Sequence, residues 1–588
     1  MIQQIDYFAI AAPLTLAVVA GLVLLLDAFL PARPRLRTEL GLVTLGGILV
    51  SLAFVVAQAG RGGRPPATFC VPEALTGGAG APGAGAGARL DEVAGAGQVD
   101  GGLCSFVADR FTVVFAGLVL VAAVVVVLLS MTELAGGGIP VGEWYFLLLC
   151  TLVGAVTLPA ARDLIMLVVA LELVSLPVFA LTALKRYDGR GSEAAVKLFV
   201  VSVVSTAVML FGVSLLYGVG GTVFLSRLGA VLGGGAPAPG LVGGGQELPA
   251  VVTVGVVLVL AGFAFKIAAV PFHSWAPDVY QGAPLPVAAL LSVISKAAGF
   301  AGLILLLVTA LAAQVTTWGP VIAVVAALTM TVGNLLAMRQ RSAVRLLAWS
   351  SVAQSGYILA PIAMASQVTG GTAAQAPVAG SGTADAGLSG SAVPDAGLSG
   401  SGLVGADLSG SALASGDLSG AGVVGVDLLG SGAVGASVAY LLIYAAMNLG
   451  AFAVVMLMSR TAARNELDDY RGLALRSPAA GLALAFCLIC LAGLPPGLAG
   501  LFAKVVVFRE IVGGGAGWLA VVMAVNTVIG LYYYVVWTAR LFAPGPAVVE
   551  RRPSAATWVA VALAVGVAVA FSIAPQLVFD LSGLTASG

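Results

Sequence analysis

The sequence is short of histidine, lysine and charge. It holds one histidine and five lysines in 588 residues, and only 9% of its residues are charged. Soluble domains carry about 25% charged residues, so a soluble globular class is excluded. A single histidine leaves no histidine-based metal cluster, and the five cysteines show no iron–sulfur spacing. No P-loop, dinucleotide fingerprint or haem-attachment motif occurs. The chain is therefore expected to carry no redox cofactor, nucleotide or metal of its own. The net charge is zero, so nothing points to nucleic acid. The N-terminus, MIQQIDYFAIAAPL, lacks the basic segment and cleavage site of a signal peptide. Its first apolar run is expected to stay as a helix.

What the chain has is hydrophobic residues, 60% of the total. Apolar runs of roughly 20 residues span a bilayer. Fourteen candidate spans lie near 8–30, 40–59, 111–130, 143–160, 163–184, 195–217, 250–271, 286–312, 318–338, 343–364, 437–459, 479–511, 516–540 and 556–580. The seventh breaks after Val270, at a stretch with Pro271, Pro277, Pro284 and Pro286. The twelfth breaks at the GLPPGLAG stretch from Gly493 to Gly500. The predicted fold is an all-α polytopic membrane protein of about 14 helices, with helices 7 and 12 discontinuous. Proline removes a backbone donor, and such breaks survive in hydrocarbon only where protein or a water-filled cavity satisfies the freed groups.

Sixteen basic residues follow the odd-numbered spans and seven follow the even-numbered ones. The odd loops are therefore expected on the cytoplasmic side, with both termini outside. The other four basic residues, Lys197, Lys266, Lys296 and Lys504, fall within spans. Loops use arginine and the membrane holds lysine. Lysine can lose its proton when buried, whereas guanidinium stays charged. That asymmetry argues for titration. A unit charge roughly 7 Å away at an effective dielectric near 20 is worth about 2–3 kcal/mol, enough to switch a buried lysine between loaded and empty.

Glu172 lies in the middle of span five, and intramembrane ionisable residues mark transport pathways. It reads as an acid partnered with a buried lysine, or as half of a structural ion pair. Lys197 near the start of span six either serves the pathway or snorkels to the interface. His273 beside the seventh break suits a proton relay or is a packed residue. Cys487 and Cys490 in span twelve read as small packing residues. Cys70 and Cys104 share one outside loop, where a bridge can persist.

Two outside loops, 60–108 and 365–436, are rich in glycine. In the second, Leu388, Val393, Leu398, Leu403, Leu408, Leu413, Leu418, Val423 and Leu428 recur every five residues. That is either a pentapeptide-type β-helix or a low-complexity linker.

The stretches FKIAAVPFHSWAPDVYQGAPLPVAALLSVISKAAGF, DLIMLVVALELVSLPVFAL, NLLAMRQRSAVRLLAWSSVAQSGYIL, YLLIYAAMNLGAFAVV and LAGLPPGLAGLFAKVVVF resemble the antiporter-like membrane subunits of proton-pumping NADH–quinone oxidoreductase, respiratory complex I. The WAPDVYQGAP wording and Lys296 look like the subunit N family. The resemblance implies two inverted five-helix repeats, here 143–312 (helices 4–8) and 318–540 (helices 9–13), preceded by helices 1–3 in 1–130 and followed by helix 14 in 541–588. It implies an acid–lysine pair at Glu172 and Lys266, a relay lysine at Lys296 and an exit-side lysine at Lys504. It also implies a span-six lysine at Lys197 and a water-linked relay at His273. NAD, FMN, iron–sulfur clusters and quinone would belong to partner subunits of the complex in a bacterial cell membrane. The competing classes are a free-standing cation/proton antiporter subunit and a structural membrane subunit that no longer pumps.

Overall fold

The computed structural model describes residues 5–31, 34–71, 103–185, 187–234, 249–365, 428–429, 431–460, 465–545 and 554–584. Most of the 60–108 loop and nearly all of the five-residue repeat lie outside the described residues. So do Arg33, Arg89, Arg186, Arg464, Arg551 and Arg552 among the basic residues used for orientation.

The chain is an all-α polytopic membrane protein. Its helices are α1 (Ala11–Phe29), α2 (Pro34–Ala59), α3 (Arg110–Leu134), α4 (Val141–Thr157), α5 (Leu164–Ala183) and α6 (Gly189–Gly220). After a short helix, Leu225–Leu232, come α7 (Pro249–Lys266), α8 (Trp275–Gly282) and α9 (Leu285–Ala310). Then follow α10 (Val315–Ala337), α11 (Ala343–Ile362), α12 (Gly432–Ser459), α13 (Pro478–Ala492), α14 (Leu498–Gly513), α15 (Gly517–Phe542) and α16 (Ala555–Ile573). Among the described residues eleven helices are long and apolar enough to cross a membrane, against fourteen expected spans. The other three expected spans coincide with the interrupted pairs α7–α8 and α13–α14 and with the more polar α11.

Side-chain caps start several helices. Asp109 accepts from the Thr112 amide at 2.9 Å, and Asp163 accepts from the Met166 amide at 2.7 Å. Helices α9, α11 and α12 are buried almost throughout. By contrast α1 and α6 expose apolar side chains such as Val18, Leu25, Val196 and Phe211, the surface a helix needs against lipid. Strands β1 (Ala67–Cys70) and β2 (Cys104–Val107) pair antiparallel and set Cys70 opposite Cys104. The two cysteines are disulfide-bonded.

Both interrupted helices end in the same cap. At the first break Ala268, with φ of 56°, is the left-handed residue. Its amide donates to Phe265 at 3.0 Å, and that of Ala269 donates to Ala264 at 2.7 Å. At the second, Gly493 has φ of 80°. Its amide donates to Cys490 at 3.0 Å, and that of Leu494 donates to Ile489 at 3.1 Å. Both patterns are Schellman motifs. The first half-helix stops at Lys266, four residues before the expected Val270, where this cap closes it ahead of Pro271.

A backbone pattern also occurs twice. The Leu164 amide donates to Val223 at 2.9 Å, and that of Leu225 donates to Arg162 at 3.0 Å. The Ala343 amide donates to Asn465 at 2.8 Å, and that of Leu467 donates to Arg341 at 2.7 Å. In each case the start of one helix, α5 or α11, is tied to the chain just beyond the helix after it, α6 or α12.

Candidate functional site

Glu172 and Ser175 stand one turn apart on α5, so both face α6 and α7. They line a cavity with Ser202, Ser205 and Thr206 of α6 and Lys266 of α7. The cavity has room for about one water. Within it the Glu172 carboxylate accepts from the Thr206 hydroxyl at 2.7 Å, and the Lys266 ammonium donates to the Ser175 hydroxyl. The structure thus brings Glu172 and Lys266 to one cavity, with separate hydroxyl partners. Lys266 also lines a second cavity that reaches Ser295, the residue before Lys296.

Lys296 is only 2% exposed, in the middle of α9. A π-turn over Leu291–Ser295 immediately precedes it, a local widening that often marks functional positions. Its ammonium donates to the Ser351 carbonyl at 2.5 Å and the Ser351 hydroxyl at 2.6 Å. The Tyr444 hydroxyl donates to Ser351 Oγ at 2.8 Å, and the Tyr444 ring lies 5.6 Å from the ammonium.

From there polar groups continue along α11. The Tyr534 hydroxyl meets the Ser350 hydroxyl at 2.5 Å and accepts from Gln354 at 3.3 Å. Tyr440 donates to Gln354 at 2.6 Å. The Tyr440 ring stacks on Tyr357 with centroids 5.9 Å apart. The Lys504 ammonium sits 5.7 Å from the Tyr357 ring and donates to the carbonyls of Leu491 and Ala492. Lys266, Lys296 and Lys504 are all buried, each with serine, tyrosine or carbonyl neighbours inside the bundle.

Lys197 lies elsewhere. Asp188 caps α6 at residue 189, earlier than the expected 195, so Lys197 is two turns into the helix with a half-exposed side chain. It pairs with Glu193 at 2.7 Å and Asp278 at 3.1 Å, and Arg345 shares Asp278 at 2.9 Å. His273 sits in the α7–α8 connection, its ring 5.4 Å from Trp349. Its Nδ1 is buried without a partner. Cys487 and Cys490 are buried and unbridged. Among the described residues no cluster of three or more His, Cys, Asp or Glu could hold a metal.

The α11 polar set (Ser350, Ser351, Gln354, Ser355 and Tyr357) and Tyr440 and Tyr444 of α12 carry contacts that the charged residues alone did not announce. Their signal was spacing. In α12 the tyrosines are four apart, and in α11 the polar residues recur on one face of a membrane-length helix.

Two interrupted helices, each breaking beside a buried lysine, within an all-α membrane bundle define an ion-translocating class of membrane subunit. Residues 161–378 and 412–530 match the family described as "NADH:quinone oxidoreductase/Mrp antiporter, TM", and the chain belongs to that family. It is 45% identical to "NADH-quinone oxidoreductase subunit N 2" of Streptomyces griseus, over 92% of this chain and 84% of that protein. It is 39% identical to "NADH-quinone oxidoreductase subunit N" of Salinispora tropica, over 99% of each. A chain of respiratory complex I from Thermus thermophilus with bound aureothin superposes with a TM-score of 0.65 at 26% identity, covering 97% of this chain and 98% of that one. A chain of the Mrp complex from Dietzia shares the fold at a TM-score of 0.70 and 19% identity, over 99% and 97%.

Proposed function

We propose that this chain is a proton-translocating membrane subunit of an NADH–quinone oxidoreductase, working with the other membrane and peripheral subunits of that complex. Relatives named subunit N that align along nearly the whole chain support the assignment. The observation that carries the relay reading is the set of buried lysines, each with polar or aromatic neighbours: Lys266 in a cavity with Glu172, Lys296 bonded to Ser351, and Lys504 against the Tyr357 ring that stacks on Tyr440. Electron transfer from NADH through FMN and iron–sulfur clusters to quinone belongs to the partners.

Glu172 sets the charge of Lys266 across their shared cavity. Lys296 holds the proton at the centre, and Lys504 passes it toward the exit. His273 relays through water at the first break. Lys197 tunes the rim through Asp278. The protein sits in a bacterial cell membrane with its arginine-rich loops inside and both termini outside. The duplicated tie between helix starts and following loops supports two inverted repeats, 143–312 and 318–540, flanked by 1–130 and 541–588.

The test is Lys266→Ala in the intact complex, reconstituted in sealed vesicles, with quinone reduction and proton uptake measured together. Both should fall strongly with assembly normal. Unchanged pumping would make Lys266 structural. Failure of the unmutated chain to assemble with partner subunits would favour a free-standing cation/proton antiporter.

A further inference from the structure

Asn448 is fully buried in the middle of α12, yet neither its amide nitrogen nor its carbonyl oxygen has a hydrogen-bond partner. An amide removed from water with both ends unpaired is costly, and native interiors satisfy such groups, often with ordered water. The group calls for one small partner able to donate and to accept. Water is that partner.

Its place on the helix says where such a water would act. Tyr440, Tyr444, Asn448 and Phe452 are spaced by four and share a face of α12. The other three have defined neighbours. Tyr440 donates to Gln354 at 2.6 Å, and Tyr444 donates to Ser351 at 2.8 Å and to the Ser292 carbonyl at 3.1 Å. The Phe452 ring packs against Tyr280 of α8 with centroids 6.4 Å apart. Along α12, Asn448 therefore lies between Tyr444, which bonds the Ser351 hydroxyl that meets Lys296, and the Phe452 ring that meets α8. Two residues before Tyr280, Asp278 meets Lys197 and Arg345 at a partly exposed rim.

We propose that Asn448 is a water-binding site that extends the Lys296 cluster toward Asp278, so that protons reach Lys296 from the Asp278 side of the bundle. The proposal rests on Lys296 acting as a relay. The bound water gives a proton through the Tyr444 and Ser351 hydroxyls to the neutral Lys296 amine while taking one from the solvent side, and is itself unchanged. Asn448 acts as a positioning residue, since it holds the water and never carries the proton.

The experiment compares Asn448→Leu, near in size and without polar atoms, with Asn448→Ser, which keeps a group for water. Lys296→Ala is measured beside them, all in the intact complex in sealed vesicles. Asn448→Leu should lower NADH-driven proton uptake by about ten-fold or more and raise the solvent deuterium isotope effect. Asn448→Ser should retain most of the activity. Normal pumping in Asn448→Leu with a dead Lys296→Ala would overturn the water site and leave the relay standing. Normal pumping in Lys296→Ala would overturn the relay and with it the proposal. Equal losses in the leucine and serine variants, with no isotope change, would make Asn448 a packing residue. Should the leucine variant fail to assemble, a cryo-EM map of the unmutated complex that resolves ordered water decides. A peak bonded to the Asn448 amide supports the site, and an amide enclosed by apolar atoms alone overturns it.

Discussion

Lys504 donates to the Ala492 carbonyl at 2.7 Å, spanning the break between α14 and the end of α13. The last carbonyls of a helix have no partner within it, and they form the negative end of its dipole. Lys504 serves α13 as a charged cap. Lys266 does not serve α7 in that way. It is the last residue of α7 and turns to Ser175. The free carbonyl at Ile267 is taken instead by Ser355 at 2.7 Å.

The cap and the proton can be separated at Lys504. Arginine keeps the charge and the donors but does not release a proton. Lys504→Arg should assemble and yet lose most of its proton uptake. Lys504→Leu should lose both, with unpaired carbonyls costing about 1–3 kcal/mol. Thermal unfolding of the purified complex, read beside vesicle pumping, checks the pair. Full pumping in the arginine variant would show that Lys504 never deprotonates.

Ser351 joins Lys296 to Tyr444 through one hydroxyl. Ser351→Ala leaves the backbone carbonyl for Lys296 and removes the shared link. The stability loss should be about 1 kcal/mol, while proton uptake falls several-fold. Ser351→Thr keeps the hydroxyl and should restore uptake. Equal uptake in the alanine and threonine variants would count against a role for the link.

The spans, the two breaks and the buried lysines were legible because each leaves a local mark: a run of apolar residues, a proline–glycine cluster, a charge in the wrong solvent. Lys197 was harder. Its distance from the helix start decides where it sits, and Asp188 starts the helix six residues before the expected residue 195. The partners of the lysines were not legible at all. Ser175, Ser351 and Tyr444 are common residue types in membrane helices, and only packing brings Ser351 of α11 to Lys296 of α9. The five-residue repeat had the clearest period in the chain, and nearly all of it lies outside the described residues.

Ala268 holds a left-handed backbone at the first break, where the second break uses Gly493. A residue with a Cβ there costs about 1–2 kcal/mol, and β-branching raises the cost. Ala268→Gly should assemble normally and raise the melting temperature slightly. Ala268→Val should lower it. A melting temperature unmoved by valine would mean the break does not depend on this conformation.

Cys70 and Cys104 close a loop of 34 residues in sequence separation. A cross-link of that size restricts the unfolded chain by about 3–4 kcal/mol in the chain-entropy account. Thiol labelling of the native protein should leave both cysteines unmodified until a reductant is added. Cys70→Ser should lower thermal stability while leaving the Lys296 cluster and turnover intact. Free thiols before reduction would refute the bridge.

The last contrast is between Lys197 and Lys266. Lys197 is half exposed and pairs with Glu193 and Asp278, and exposed pairs of this kind contribute little to stability. Lys266 is buried and shares a cavity with the partly buried Glu172, so losing it leaves that carboxylate without its countercharge. Lys197→Ala should therefore reduce pumping modestly and in a salt-dependent way, since solvent ions can screen Asp278 once the lysine is gone. Arg345 still holds that carboxylate at 2.9 Å. Lys266→Ala should reduce pumping severely and at every ionic strength. Measuring both variants in vesicles at low and high salt separates a rim charge from a relay. A loss in Lys197→Ala as deep and as salt-independent as that of Lys266→Ala would move Lys197 from the rim into the proton path.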